Sequence, residues 1–176
     1  MSEPSIFKAW ENFYVIAGSS SAALTGLVFI VVTLAAGRRA PGTTTGEGTS
    51  IFSSPTVMHF CAAFFVSGIF AAPWRSPLYA GILIGLAGLF GAVYAVNTGY
   101  RANKLTNYNA DRSDWFWFII LPFIAYLALC GGGFLLPGFP LDASYLVAAS
   151  TMLLIFIGIH NAWDVVTYLA IRSDDE

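Results

Sequence analysis

The chain has 176 residues, of which 57% are hydrophobic and 10% charged, with a mean hydropathy of +0.70 and a formal net charge of −2. These values lie outside the range of soluble globular domains and exclude the clustered basic face that a nucleic-acid partner needs. They predict an integral membrane protein in which residues 1–176 form a single transmembrane domain, since the polar stretches are too short to bury a second core.

The N-terminal stretch carries Glu3, Lys8 and Glu11 and lacks the cationic region of a signal peptide. The apolar run after it is too long for such a peptide and reads as a retained span. Marking runs of roughly 20 apolar residues between charged or Pro/Gly-rich breaks predicts five spans. The first covers about residues 13–36 and ends at Arg38 and Arg39; before it, Ile6, Phe7, Trp10, Phe13 and Tyr14 share one helical face. That segment fits either a short helix lying in the interface or the beginning of the first span. The second span covers about residues 55–72, with Ser54 as N-cap and Pro55 at the first helical position. The third covers about residues 77–96 and repeats the device at Ser76 and Pro77. The fourth covers about residues 115–136, and the fifth about residues 143–169.

The fold class expected is therefore an all-α, polytopic helix bundle. Five spans put Lys8 and Arg75 on one side and Arg38, Arg39, Arg101, Lys104, Arg112 and Arg172 on the other. Because Lys and Arg are retained on the cytoplasmic face, the N-terminus is expected outside and the C-terminus inside. Trp10, Trp74 and Tyr145 then form an outer aromatic belt, with Tyr94, Trp115, Trp117 and Tyr168 at the inner one. Cys61 and Cys130 fall at different depths on different helices and are not expected to pair.

Trp10, Phe13, Tyr14, Gly18 and the run Ala22, Ala23, Leu24, Thr25, Gly26, Leu27, followed by Phe29, resemble the opening of a group of short, uncharacterised bacterial multi-pass membrane proteins. The resemblance covers about the first fifth of the chain. Members of that group are sometimes labelled modulators of a membrane-anchored protease, and no protease or protease-binding motif accompanies these residues. What the resemblance implies is a bacterial cytoplasmic-membrane location.

No P-loop, H-E-x-x-H, C-x-x-C or dinucleotide fingerprint occurs, so an enzyme is not expected. Gly18-Ser19-Ser20-Ser21 matches the nucleophile pattern of rhomboid-like intramembrane proteases, but Ser20 lies about 10 Å and His160 about 25 Å below the outer ends of their spans. Gly18, Ala22 and Gly26 recur every four residues and are expected to allow close helix packing, as are Gly81, Gly85 and Gly88 in the third span. In the fourth span Pro122 and the run Gly131 to Gly133 are candidate points for a kink or break.

The residues that stand out chemically are His160, Asp164 and Thr167, whose i, i+4, i+7 spacing shares one face of the last span, flanked by Asn161 and Trp163. An ionisable group near the centre of a span costs on the order of 2.5–3.5 kcal/mol, so such groups are expected to face the bundle interior, water or a partner. His59 enters the second span near the same inner leaflet. A His59, His160, Asp164 cluster near Arg38 or Arg39 fits a small proton or cation channel or transporter, because imidazole titrates near neutrality. The same residues also fit a polar clamp in a non-catalytic accessory or regulatory protein that packs against another membrane protein. No cofactor is expected; haem b held by one imidazole from each of two helices, and a metal held by the trio, are the alternatives. Lipid, a second copy of the chain or a partner membrane protein are the expected contacts.

Overall fold

The computed structural model describes residues 6–37, 46–104 and 112–172, and these are helical apart from short turns. Arg38 and Arg39 lie outside the described residues. Helix α1 runs Ile6–Gly37, α2 Gly46–Ala71 and α3 Pro77–Lys104. A short α4, Arg112–Trp115, leads through a π-helical turn, Phe116–Ile120, into α5, Leu121–Leu135, and α6 covers Pro140–Arg172. Four segments are long and apolar enough to cross a bilayer, namely Ile6–Leu34, Pro77–Asn103, Phe116–Leu135 and Pro140–Asp164; Pro55–Ala71 is a shorter apolar helix.

Successive helices run in opposite directions, and the contacts fix their register. Trp10 meets Tyr145 edge to face at 5.0 Å between ring centroids, and Tyr14 stacks on Phe70 at 4.1 Å. These rings gather the start of α1, the end of α2 and the start of α6 at one end of the bundle, which also holds the tight turns after α2 and α5. In the first of those turns Trp74 donates its indole N–H to the Ile69 carbonyl at 2.6 Å. The Leu78 N–H is bonded to Ser76 Oγ at 3.3 Å, so Ser76 caps α3 ahead of Pro77.

Helix α1 is continuous from Ile6, so Ile6, Phe7, Trp10, Phe13 and Tyr14 belong to the same helix as the first apolar run. Its buried stripe is a heptad: Phe7, Tyr14 and Ser21 recur every seven residues, with Ala17 between them. A repeat of four residues instead drifts by about 40° per step around a helix. Gly18 is therefore at the seam, where an added Cβ would lie 2.9 Å from Ser67 Cβ of α2, while Ala22 is exposed and Gly26 has open space beside it. The stripe Gly18, Ala22, Gly26 is a contact at its first member only.

Two helix starts also differ from the sequence expectation. Helix α2 begins nine residues before Pro55, so Pro55 is interior and Ser54 is not an N-cap. One lost backbone bond is tolerated there because the helix is carried on both sides of it. Helix α6 begins at Pro140, a residue suited to the first turn.

The closest approach in the bundle is α3 against α5. A Cβ on Gly133 would meet the backbone nitrogen of Gly85, one on Gly88 the backbone of Cys130, and one on Gly91 the ring of Tyr126; Gly81 faces the Gly133 carbonyl. Backbones this near need glycine on at least one side. The triple glycine thus supports packing: Gly133 meets α3, Gly132 meets Val147 of α6, and α5 runs unbroken through them. The irregularity lies upstream of Pro122, where the Leu121 N–H bonds to the Phe116 carbonyl, five residues back. A widened turn takes up the crowding that a proline ring imposes on the preceding turn.

Gly133→Ala is expected to destabilise the bundle in detergent by about 1–3 kcal/mol through overpacking. Gly131→Ala, two positions away with open space around it, should leave stability unchanged or raise it by up to about 1 kcal/mol, since alanine favours the helix. Thermal unfolding followed by circular dichroism compares them; equal melting would mean that the α3–α5 seam accommodates a methyl group.

Candidate functional site

The interior polar side chains divide into two kinds. Ser21, Ser67, Ser144, Ser150 and Thr151 each donate to the carbonyl four residues back on their own helix, at 2.6–2.8 Å, and so need nothing from a neighbour. His59 and Asn161 have no such local option, and both are buried, at 1% and 0% exposure.

His59 projects from α2 toward α5, where its Nδ1 and the Tyr126 hydroxyl share a hydrogen bond of 2.9 Å. Tyr126 is held in place by Gly91 of α3, whose missing side chain leaves room for the phenol ring. The bond therefore ties α2 to the α3–α5 pair. The other ring nitrogen, Nε2, is buried without a hydrogen-bond partner.

Asn161 is placed by two contacts of α6. Phe60 of α2 packs over Gly158, three residues before Asn161. Val147, Leu154 and Asn161 are spaced by seven and fully buried, and Val147 lies against Gly132 of α5. Asn161 thus stands where α2, α5 and α6 converge, and both polar atoms of its amide are buried without partners.

His160 lies about 200° around α6 from Gly158, away from α2. Its ring stacks on Trp117 of the π-helical turn, with centroids 3.8 Å apart and planes 8° from parallel. Its Nδ1 is 3.4 Å from Asp164 Oδ2, an ion-pair distance without hydrogen-bond alignment, and the two side chains are 32% and 48% exposed. Thr167 Oγ1 bonds to the carbonyls of Trp163 and Asp164 on its own helix. Trp163 is exposed.

The expected cluster is therefore two sites. His160, Asp164 and Thr167 form a rim group turned out of the bundle, where half-exposure lowers the cost of charge. His59 belongs to an interior group with Asn161 and with Tyr126, which the sequence reading passed over. A signal for Tyr126 did exist: a tyrosine in mid-span, away from both interfaces, needs a partner for its hydroxyl. The two histidines engage residues nine apart on the fourth span, about 13 Å of helix, and are not paired with each other. Among the described residues no three of His, Cys, Asp and Glu come together in a metal-binding group. Ser20 is on the exposed side of α1, with neither histidine bonded to it. An apolar groove of about 420 Å³ between α1, α2 and α3, lined by Val28, Val32, Met58, Cys61 and Tyr94 among others, contains none of these polar groups. Cys61 and Cys130 are both free thiols.

Comparison of the chain with protein-family models, curated proteins and solved structures found no match.

Tyr126→Phe removes the partner of a buried imidazole nitrogen and is expected to destabilise the bundle by about 0.5–2 kcal/mol. Asp164→Asn, at a half-exposed pair, should change stability by less than about 0.5 kcal/mol. Urea titration of the two variants in mixed micelles measures the difference, and the reverse ranking would place the structural polar contact at the rim.

Proposed function

We propose that the chain is a five-span membrane protein of the bacterial cytoplasmic membrane, N-terminus outside, that carries protons between its cytoplasmic rim and the buried His59–Tyr126 pair. The observation that carries this reading is the His59 imidazole, buried in an apolar bundle with one nitrogen bonded to Tyr126 and the other unengaged. A titratable group in a span is costly and marks a pathway by default. Pro55–Ala71 has 17 residues, about 25 Å of helix, at the lower limit for a span and flanked by four longer ones. His160 and Asp164 at the rim take up protons from water, and the interior group receives them.

The charge inventory favours a proton over a metal cation. The interior group holds an imidazole, a phenol and an amide, and among the described residues the carboxylate near it, Asp164, is at the rim and half-exposed. A metal cation would sit there without a counter-charge, whereas an imidazole accepts and releases a proton by itself. Toward the outer side, Val66, Phe70, Leu129 and Val147 fill the core. Passage therefore requires α2 to shift against its neighbours.

Proton flux into proteoliposomes under an imposed potential tests the proposal, with variants matched for incorporation and thermal stability. The native chain should exceed empty vesicles by at least about tenfold, His59→Phe should fall to the empty-vesicle rate, and Asp164→Asn should slow it severalfold. Native-level flux in stable His59→Phe would remove the histidine from any pathway.

A second reading, an accessory protein that packs on another membrane protein, is favoured by the outer face of α1. Ser19, Ser20, Ala22 and Gly26 are all exposed there, and only 17% of the α1 apolar window is buried in the bundle. Small and hydroxyl side chains on a lipid-facing helix suit a further helix. Under this reading flux is absent from every variant, and Gly26→Leu abolishes a native membrane partner's co-purification without altering the bundle's melting.

A further inference from the structure

Three buried polar atoms at the α2–α5–α6 junction, His59 Nε2, Asn161 Oδ1 and Asn161 Nδ2, make no hydrogen bond to protein. Exchanging the amide oxygen and nitrogen of Asn161 changes nothing, because both positions lack a partner. An amide or imidazole buried in an apolar environment without a partner is costly, and such groups in native proteins are satisfied by protein or by bound water. Tyr14 Oη is also buried and unpartnered, but it stands alone against the Phe70 ring, so no second polar group converges on it.

The register brings the junction groups within about one helical turn of each other. Phe60, next to His59, packs on Gly158, and α2 and α6 run in opposite directions. The three residues from Gly158 to Asn161, about 4.5 Å of rise, therefore lead along α6 in the direction in which α2 passes from Phe60 to His59 and beyond. Angular position agrees: Asn161 continues the Val147, Leu154 stripe that faces α5, and His59 reaches α5 at Tyr126.

We infer that this junction is a binding site for one neutral, water-sized guest that bridges the Asn161 amide and His59 Nε2. The donor set selects the guest. Asn161 offers an acceptor and two donors and His59 one nitrogen of either kind according to its tautomer, so a molecule that both donates and accepts can bridge one edge of the amide to the imidazole nitrogen in either tautomer. Among the described residues no carboxylate is buried beside them, and a charged guest would lack a counter-charge. Water, with two to four bonds to make, fits this set. The site stands on burial and geometry alone and holds whether or not the chain moves protons.

Magic-angle-spinning NMR of the full chain in lipid bilayers, labelled with ¹⁵N at histidine, asparagine and valine, tests the inference by transfer of magnetisation from water. Transfer to Asn161 Nδ2 and His59 Nε2 should build up severalfold faster than to the amide of Val66, which is buried on α2. In Asn161→Leu the transfer to His59 should fall severalfold while the His59–Tyr126 bond persists. Two dry nitrogens in the native chain overturn the inference before any variant is made. Unchanged transfer to His59 in Asn161→Leu, or in Asn161→Ala if the first does not fold, overturns the bridging arrangement.

Discussion

Helices in hydrocarbon gain little by hiding apolar surface from one another, because the lipid tails are as apolar as leucine. Association has to come from close packing, and in this bundle the closest packing is the glycine seam between α3 and α5. The rest hangs from that pair. Gly91 makes room for the Tyr126 ring, Tyr126 holds His59 of α2, and Gly132 on the other side of α5 receives Val147 of α6. One rigid pair thus positions both the polar bond to α2 and the packing of α6, and α1 packs along a heptad stripe on α2.

A second constraint sorts the polar residues. Serine and threonine can return a hydroxyl to their own backbone, so they enter the interior at little cost and without specifying a neighbour. Histidine, asparagine and tyrosine cannot, and each must be met by another helix or by a guest. That is why Ser21, Ser67, Ser144, Ser150 and Thr151 bond within their own helices while His59, Tyr126 and Asn161 lie where three helices converge. Charge is placed by the same rule: Asp164 is left half-exposed at the rim, where water shares the cost.

The helical class and the long apolar elements were legible because composition and run length alone separate hydrocarbon from water as a solvent. The Gly81, Gly85, Gly88 face could be read from spacing, since three glycines on one side of an apolar helix have little other use. Of Gly18, Ala22 and Gly26 only the first packs within the bundle, because a four-residue repeat looks like a face in the sequence and drifts around the helix in space. The His160, Asp164, Thr167 spacing did mark one face of α6, but spacing says nothing about which face turns inward. That was decided by Gly158, an unremarked residue whose lack of a side chain lets Phe60 approach. Asn161, the flanking residue, took the interior position instead.

The π-helical turn at Phe116–Ile120 is in effect a helix carrying one residue too many. Such turns behave as insertions that a chain can gain or lose singly, with the cost confined to one turn. Loss of one residue here would restore a regular helix and rotate everything before it by about 100° relative to Tyr126. Trp117 would leave the His160 ring while the buried pair stayed where it is. The length of a single turn therefore sets how the polar face of α6 is shielded, while Ile119, which lies against Gly99 of α3, and the buried Phe118 tie that same turn to its neighbours.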